Sequence, residues 1–214
     1  MALKKYTSGF TLVEMAIVLI IMGFIIGAFV TPLTVQVEQS HIAEARKDLA
    51  EIKEALLGYA AVNGTLPCPD TNGDGIVDGC LNTNATATTG GNLPWSTLGV
   101  KSKDPWGQAY QYRVNNAFTT TFNLSTVGSG AGIIKICTDS TCAATESSNV
   151  PLIVFSYGKN GAIQPPISLD EQENANLDGI FVNHDFVQDG FDDVLMWISI
   201  NVLMNRMVTV GKLP

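Results

Sequence analysis

The chain has 214 residues, of which 46% are hydrophobic and only 15% are charged. This length predicts one mid-sized domain, because domains usually contain about 100–200 residues. Twelve lysines and arginines stand against 20 acidic residues, which gives a net charge of -8. That balance argues against a protein specialised for nucleic acid, since such proteins gain affinity largely from lysine and arginine contacts with phosphates.

An apolar block, residues 10–30, dominates the start of the chain, and Lys4 and Lys5 precede it. As a helix the block would span about 31 Å, which matches a bilayer hydrocarbon core of about 30 Å. The lysines predict a cytoplasmic N-terminus and an external remainder. Glu14 is the one charged residue of the block. A carboxylate at this depth costs on the order of 2.5–3.5 kcal/mol and usually marks function.

Three interpretations of this block are open. A cleaved secretory signal has an apolar core of only about 7–15 residues and a small-residue cleavage site after it. A plain membrane anchor leaves Glu14 unexplained. The third interpretation uses the whole N-terminus: residues 1–9 are a short basic leader that ends in Gly9, and Phe10-Thr11-Leu12-Val13-Glu14 follows directly.

This arrangement resembles the N-terminal signal of type IV prepilins and type II secretion pseudopilins. The resemblance implies that prepilin peptidase cleaves after Gly9 and methylates the new N-terminal residue, Phe10. It also implies that Glu14 is the assembly residue, pairing with the α-amine of Phe10 in a neighbouring subunit. The physical reason is that buried charges need a partner, so a mismatched stagger of subunits would leave two ions unpaired.

A second helical pattern follows the apolar block. Apolar residues recur at spacings of three and four, and charged residues fill the other face. The apolar stripe consists of Ile42, Ala45, Leu49, Ile52, Leu56 and Tyr59. The face expected to be solvated carries Glu44, Lys47, Asp48, Glu51 and Glu54. Asn63-Gly64 is a typical helix stop.

One long helix is therefore predicted from Phe10 to about Val62. Residues 10–31 would form its membrane or filament-core part, and residues 32–63 would be the amphipathic part that packs on a globular head, residues 64–214. A coiled-coil dimer is the alternative, although the stripe is shorter than the three to four heptads that this assignment requires.

The head reads as β-rich, with short apolar or alternating runs between turn residues. Strands are predicted at residues 109–114, 119–127, 133–138, 152–157, 180–183 and 194–199. Residues 83–91 are of low complexity and predict a mobile loop, and residues 202–208 predict a short helix. The predicted fold class is α+β, with the long spine helix packed on an antiparallel sheet. Leu93-Pro94-Trp95 and Asp104-Pro105-Trp106-Gly107 resemble a segment of major pseudopilins, and both tryptophans are expected in the core.

The stretch from Asp70 to Asp78 has the spacing of a calcium loop. Its candidate ligands are Asp70, Asn72, Asp74, the Ile76 carbonyl and Asp78. Gly75 stands where such loops turn sharply, whereas Leu81 replaces the bidentate glutamate that completes an EF-hand. The alternative is a polar turn in which Asp and Asn side chains cap backbone amides.

Four cysteines follow an export-type N-terminus, which favours an oxidising compartment and disulfides. Cys68 and Cys80 bracket the candidate calcium loop, and Cys137 and Cys142 enclose four residues. Four cysteines allow three connectivities, of which these two local pairs are favoured.

Residues 170–193 are acidic and contain no lysine or arginine. Three interpretations are open: a solvated acidic face, a second calcium site involving Asn174, Asn176 or Asp178, and a docking face for a basic partner. The pseudopilin resemblance implies a calcium-dependent loop late in the chain. His184 beside Asp185 is expected to be a surface histidine, because no nucleophile lies at catalytic spacing.

The sequence thus predicts a structural filament subunit and not an enzyme. The resemblance favours a type II secretion pseudopilin over a type IV pilin. Its expected partners are prepilin peptidase, other pilin or pseudopilin subunits and the inner membrane, with the head first in the periplasm and then in a periplasmic or surface filament. The rival is a minor pilin, or a membrane-anchored adhesin or binding protein with a calcium-stabilised loop.

Overall fold

A computed structural model of the chain describes residues 9–80, 88–123, 134–161, 168–176, 178–187 and 190–213, without the side chains of residues 28–34. The chain divides into two compact units, Met1–His41 and Ile42–Pro214.

Helix α1 spans Leu12–Asn63, which confirms the predicted spine helix to within two residues at each end. In the first unit, the described helix side chains up to Gly27 are exposed. From Ile42 onward the apolar stripe is buried, apart from the half-buried Tyr59. Among the residues that the structure describes, no helix is both long enough and apolar enough to cross a membrane.

A four-stranded antiparallel sheet covers the buried stripe of α1. Its strand order is β1 (Thr88–Asn92), β2 (Gln111–Asn115), β5 (Leu152–Ser156) and β7 (Val194–Ile198). The predicted strands at residues 109–114, 152–157 and 194–199 are therefore confirmed. Residues 88–91 are not a loop as expected, because they pair in register with β2. Gly91 lets β1 approach Asp70 closely, since a Cβ there would lie 2.7 Å from the Asp70 carbonyl oxygen.

A second, three-stranded sheet contains β4 (Thr145–Ser148), β3 (Lys135–Cys137) and β6 (Ile180–Val182), in that order. Strands β3 and β4 are antiparallel, whereas β3 and β6 are parallel. The parallel pair departs from the expected antiparallel pattern. It is accommodated because the chain between these two strands is long enough for a crossover connection.

Two apolar cores hold the second unit together, one on each face of β5. Tyr112, Leu152 and Val154 pack with the α1 stripe in the first core. Ile153 and Phe155 point the other way and pack with Ile136 and Phe181 in the second. This explains why β5 reads as an uninterrupted apolar run, since both of its faces are buried.

Three shorter helices complete the described fold: α2 (Trp95–Leu98), α3 (Leu169–Asn176) and α4 (Ile200–Thr209). Helix α4 confirms the predicted C-terminal helix, whereas α2 and α3 were not predicted.

A strand was expected at residues 119–127. The described part of this stretch, residues 119–123, forms no strand and follows a 3-10 helix at Asn116–Phe118. The rest of that stretch lies outside the described residues, as do residues 83–87 of the expected loop. Trp95 and Trp106 are half-buried, with Trp106 packed against the first core.

Candidate functional site

The N-terminal candidate site lies at the start of α1. Gly9 and Phe10 precede the helix and are exposed. Glu14 Oε2 accepts hydrogen bonds from the backbone N–H of Thr11, at 2.8 Å, and from its hydroxyl, at 2.9 Å. The Glu14 N–H donates back to Thr11 Oγ1 at 3.2 Å. This reciprocal capping box directs the Glu14 carboxylate toward the N-terminal end of the helix, the end at which Phe10 lies.

A second candidate site lies in the head. One ligand atom each from Glu171, Asp192 and Asp193 falls within 4.8 Å of the others. All three side chains are buried, with Glu171 only 1% exposed. Within the described ranges, no other group of three acidic, histidine or cysteine side chains converges in this way. We call these three residues the acidic cluster.

Glu171 is fixed from two sides. Its Oε1 accepts from Asn160 Nδ2 at 3.0 Å and from the Asp192 N–H at 3.1 Å. Its Oε2 accepts from the Ser168 N–H at 3.3 Å, while the Glu171 N–H donates to Ser168 Oγ at 3.1 Å. Ser168 and Glu171 thus form a second capping box, which starts α3 and holds the carboxylate in place.

Asp192 and Asp193 reach the cluster from the segment just before β7. Asp192 Oδ2 accepts from the backbone N–H groups of Lys159 and Asn160, at 3.1 and 3.2 Å. Asp193 Oδ2 accepts from Asn174 Nδ2 at 2.7 Å. Asn174 is fully buried and also exchanges hydrogen bonds with the backbone of Val182 on β6. Helix α3, strand β6 and the turn after β5 therefore all converge on the cluster.

The electrostatics of the cluster are unfavourable for three bare carboxylates. The pKa of Asp193 is raised to about 8, chiefly by burial and also by the nearby Glu171 and Asp192 carboxylates, while the Asn174 hydrogen bond acts in the opposite direction. Asp193 Oδ1 is buried and accepts no hydrogen bond from any residue that the structure describes. Such a group requires either a proton or a cation. Because all the donor atoms are carboxylate oxygens, the set fits a hard divalent cation such as calcium.

The predicted calcium loop has a different organisation. Asp70 is buried, and its carboxylate accepts from the N–H groups of Asn72, Gly73 and Gly75. Asp78 Oδ2 accepts from the N–H and the hydroxyl of Thr71.

The remaining side chains of the loop make short-range turns of the same kind. Asn72 Oδ1 accepts from the Asp74 N–H, and Asp74 Oδ1 from the Ile76 N–H. These are the contacts of the polar-turn alternative. The loop acids do not converge as the acidic cluster does. Calcium binding by this loop stays a prediction.

The two local disulfides favoured from the spacing are present. Cys68 is bonded to Cys80 and Cys137 to Cys142. The first closes the Asp70 loop onto itself. The second joins β3 to the segment that leads into β4.

The acidic segment, residues 170–193, is not one solvated face, contrary to the first of its three interpretations. Asp178 and Asp185 are exposed, whereas the members of the acidic cluster are buried. Of the residues named for a second calcium site, only Asn174 contacts the acidic cluster directly. The signal that the sequence offered was Ser168-x-x-Glu171, a capping box that both starts α3 and marks Glu171.

His184 is also more constrained than a surface histidine. Its Nε2 lies 3.1 Å from Asp170 Oδ2, and its ring stacks on Phe191 with centroids 3.9 Å apart. Asp170 in turn accepts from the Ser140 N–H. The histidine thus joins the start of α3 to the segment before β7, and it has a structural role.

Comparison with known proteins gives three matches. The family described as "Type II secretion system (T2SS), protein G" matches residues 32–132, and the "Prokaryotic N-terminal methylation motif" matches residues 4–30. Among curated proteins, the chain is similar to the type II secretion system core protein G of Pseudomonas aeruginosa. The identity is 29% over 114 residues, covering 51% of this chain and 75% of the relative. No solved structure matches the chain significantly. Both family matches end before the acidic cluster.

Proposed function

Since the chain belongs to the family of type II secretion pseudopilins and type IV pilins, we propose that it is a structural subunit of a secretion pseudopilus. The observation that carries this proposal is the methylation motif over residues 4–30 followed directly by the secretion-protein match over residues 32–132. In this proposal the chain catalyses no reaction. It is a substrate of prepilin peptidase and then a building block of a filament.

The proposed processing begins in the inner membrane, with the leader in the cytoplasm and the head in the periplasm. Prepilin peptidase cleaves after Gly9 and methylates the freed amine of Phe10. The leader takes Lys4 and Lys5 with it, so the mature chain is more acidic than the precursor. Residues 10–31 then pass from the bilayer into the core of a helical filament. Large exposed apolar side chains such as Leu12 and Phe24 support this step, because surfaces of this kind mark contacts with lipid or protein.

Glu14 sets the register of assembly in this proposal. Its carboxylate pairs with the α-amine of Phe10 from a neighbouring subunit. Both groups are buried in the filament core, so each charge requires a partner of opposite sign. The capping box with Thr11 supports this role, because it holds the carboxylate at the end of the helix where such an amine would arrive.

Glu14→Ala tests the assembly role. We expect the variant to be processed normally but to enter filaments poorly, as measured by sheared-filament yield relative to the membrane-bound pool. Glu51→Ala is the matched control, since Glu51 is an exposed glutamate of the same helix. Equal filament yields from the Glu14 and Glu51 variants would refute the assembly role.

We also propose that the acidic cluster holds a calcium ion. Glu171, Asp192 and Asp193 would supply the ligand oxygens, and the unsatisfied Asp193 Oδ1 supports the assignment. A bound divalent cation would offset the repulsion among three buried carboxylates. It would thereby hold together α3, the turn after β5 and the segment before β7.

A further inference from the structure

The acidic cluster is connected to the Asp104 loop, residues 104–108, through a chain of buried and partly buried hydrogen bonds. Asp104 is 5% exposed, and its Oδ1 accepts from the N–H groups of Trp106 and Gln108, at 3.1 and 2.8 Å. Its Oδ2 accepts a short hydrogen bond from the hydroxyl of Ser156, which is fully buried at the end of β5. Asp104 therefore holds its own loop with one oxygen and the last residue of β5 with the other.

Ser156 also contacts the turn after β5, whose N–H groups donate hydrogen bonds to the acidic cluster. Its Oγ accepts from the Gly158 N–H at 3.0 Å. The next two N–H groups, those of Lys159 and Asn160, both point at Asp192 Oδ2. A Cβ on Gly158 would lie 2.5 Å from both the carbonyl oxygen and Oδ1 of Asp192, so the turn lies directly against that residue.

We propose that Asp104 and Ser156 are positioning residues for the metal site, and that they couple the Asp104 loop to the binding of calcium. This inference rests on the proposed calcium site at the acidic cluster. Neither residue is a member of the acidic cluster. They act by fixing the turn whose backbone and Asn160 side chain orient Asp192 and Glu171. Groups that hydrogen-bond directly to metal ligands alter metal affinity about 10–100-fold when they are removed. Ser156 acts one hydrogen bond further out, through the Gly158 N–H, so its effect falls at the lower end of that range.

The coupling must run in both directions, because linkage between two sites is reciprocal. If the turn helps to bind calcium, calcium in turn stabilises the turn and the Asp104 loop. Trp106 is a natural reporter, since its N–H is held by Asp104 and its side chain packs partly buried against the first core.

The test is a calcium chloride titration of the purified full chain in detergent, followed by calorimetry. We expect a calcium site in the wild type that is lost in Asp192→Asn, and an affinity of that site about 10-fold weaker in Ser156→Ala. Ser156→Thr keeps the hydroxyl and should retain most of the affinity. Ser147→Ala, a half-buried serine on β4, is the matched control and should bind like the wild type.

The outcomes separate the two ideas. Wild-type affinity in Ser156→Ala, with binding still lost in Asp192→Asn, overturns the positioning role and leaves the calcium site standing. No binding by the wild type, or equal binding by Asp192→Asn, overturns the calcium site and this inference with it. Circular dichroism in metal-free buffer verifies folding of each variant. If Ser156→Ala does not fold, Asp104→Asn takes its place, and unchanged affinity there overturns the role.

A tryptophan fluorescence measurement tests the coupling itself. Calcium should change the emission of the wild type, and most of that change should be absent in Trp106→Phe, whose calcium affinity stays close to that of the wild type. A full emission change in the Trp106 variant would show that the Asp104 loop does not respond to the metal.

Discussion

Asp193 lies in an environment that favours its protonated form. Its pKa of about 8 in the folded chain lies above the value of about 4 expected in the unfolded chain, chiefly because burial penalises the charged carboxylate. The folded state therefore holds a proton that the unfolded state releases between these two values. The stability associated with this proton is fully present below about pH 4 and is lost as the pH rises through about 8.

We accordingly expect the metal-free protein to lose stability between about pH 4 and about pH 8, and Asp193→Asn to lose less, because an amide does not ionise. Urea denaturation midpoints in chelator at several pH values measure this difference. Identical pH profiles for the variant and the wild type would show that Asp193 is not the group responsible.

Gly158 is a second residue at which the structure restricts the choice of side chain. Its φ is +64°, and a Cβ would clash with Asp192. Gly64 has a similar φ of +78°, but a Cβ there would meet nothing within 4 Å. Gly64→Ala should cost about 1–2 kcal/mol for the backbone conformation alone, and Gly158→Ala should cost clearly more. Equal losses of unfolding free energy in the two variants would mean that the contact with Asp192 is unimportant.

At the scale of elements, the packing of α1 depends on a buried carboxylate as well as on its apolar stripe. Asp48 is 3% exposed, although the helical pattern placed it on the solvated face. It accepts from Lys101 Nζ at 2.9 Å and from the Tyr110 hydroxyl at 3.3 Å. Burial raises the pKa of Tyr110, so that its hydroxyl keeps its proton and remains a donor.

Asp48→Ala should destabilise the head by about 1.5–3 kcal/mol, because hydrogen bonds to a buried charged group are lost. Glu44→Ala is the matched control: Glu44 pairs with the same Lys101 Nζ at 3.0 Å but is half-exposed, so its loss should cost less than about 1 kcal/mol. Thermal melts of the two variants make the comparison, and similar losses would contradict a special role for Asp48.

Helix α1 also shows which features of the fold could be predicted from the sequence. The period of the apolar residues placed α1 and its buried stripe correctly, because helix geometry alone determines which side chains share a face. The uninterrupted apolar run of β5 identified a strand for a similar reason. Asp48 was misplaced because its partners lie more than 50 residues away in the chain. Helix α3 was missed because its residues are almost all polar and show no apolar face.

The acidic cluster could not be predicted for the same reason, because its members are distant from one another in the chain. Glu171 lies in α3 and Asp192 lies beyond β6, and only the packing of α3, β6 and the turn after β5 brings them together. By contrast, the candidate loop from Asp70 to Asp78 is contiguous, which is why its spacing was visible. In the structure, the dispersed acids converge and the contiguous ones do not.

At the scale of the whole molecule, the two units have opposite characters. The second unit buries two apolar cores and carries the acidic cluster. The first unit exposes the large apolar side chains of α1, including Leu12 at 91%. Exposed apolar surfaces of this kind mark sites of contact with lipid or with other protein surfaces. In the proposed function, lipid surrounds this surface while the chain is in the bilayer, and neighbouring helices surround it in the core of the filament.

The central claim is that the chain becomes an assembly subunit only after removal of its leader. The most direct measurement is mass spectrometry of the N-terminal peptide from chains purified out of cells that contain prepilin peptidase. We predict a mature chain that begins at Phe10 and carries one methyl group on its α-amine, and an uncut precursor from Gly9→Ala. A wild-type chain that retains residues 1–9, or that begins at any other residue, would contradict the account.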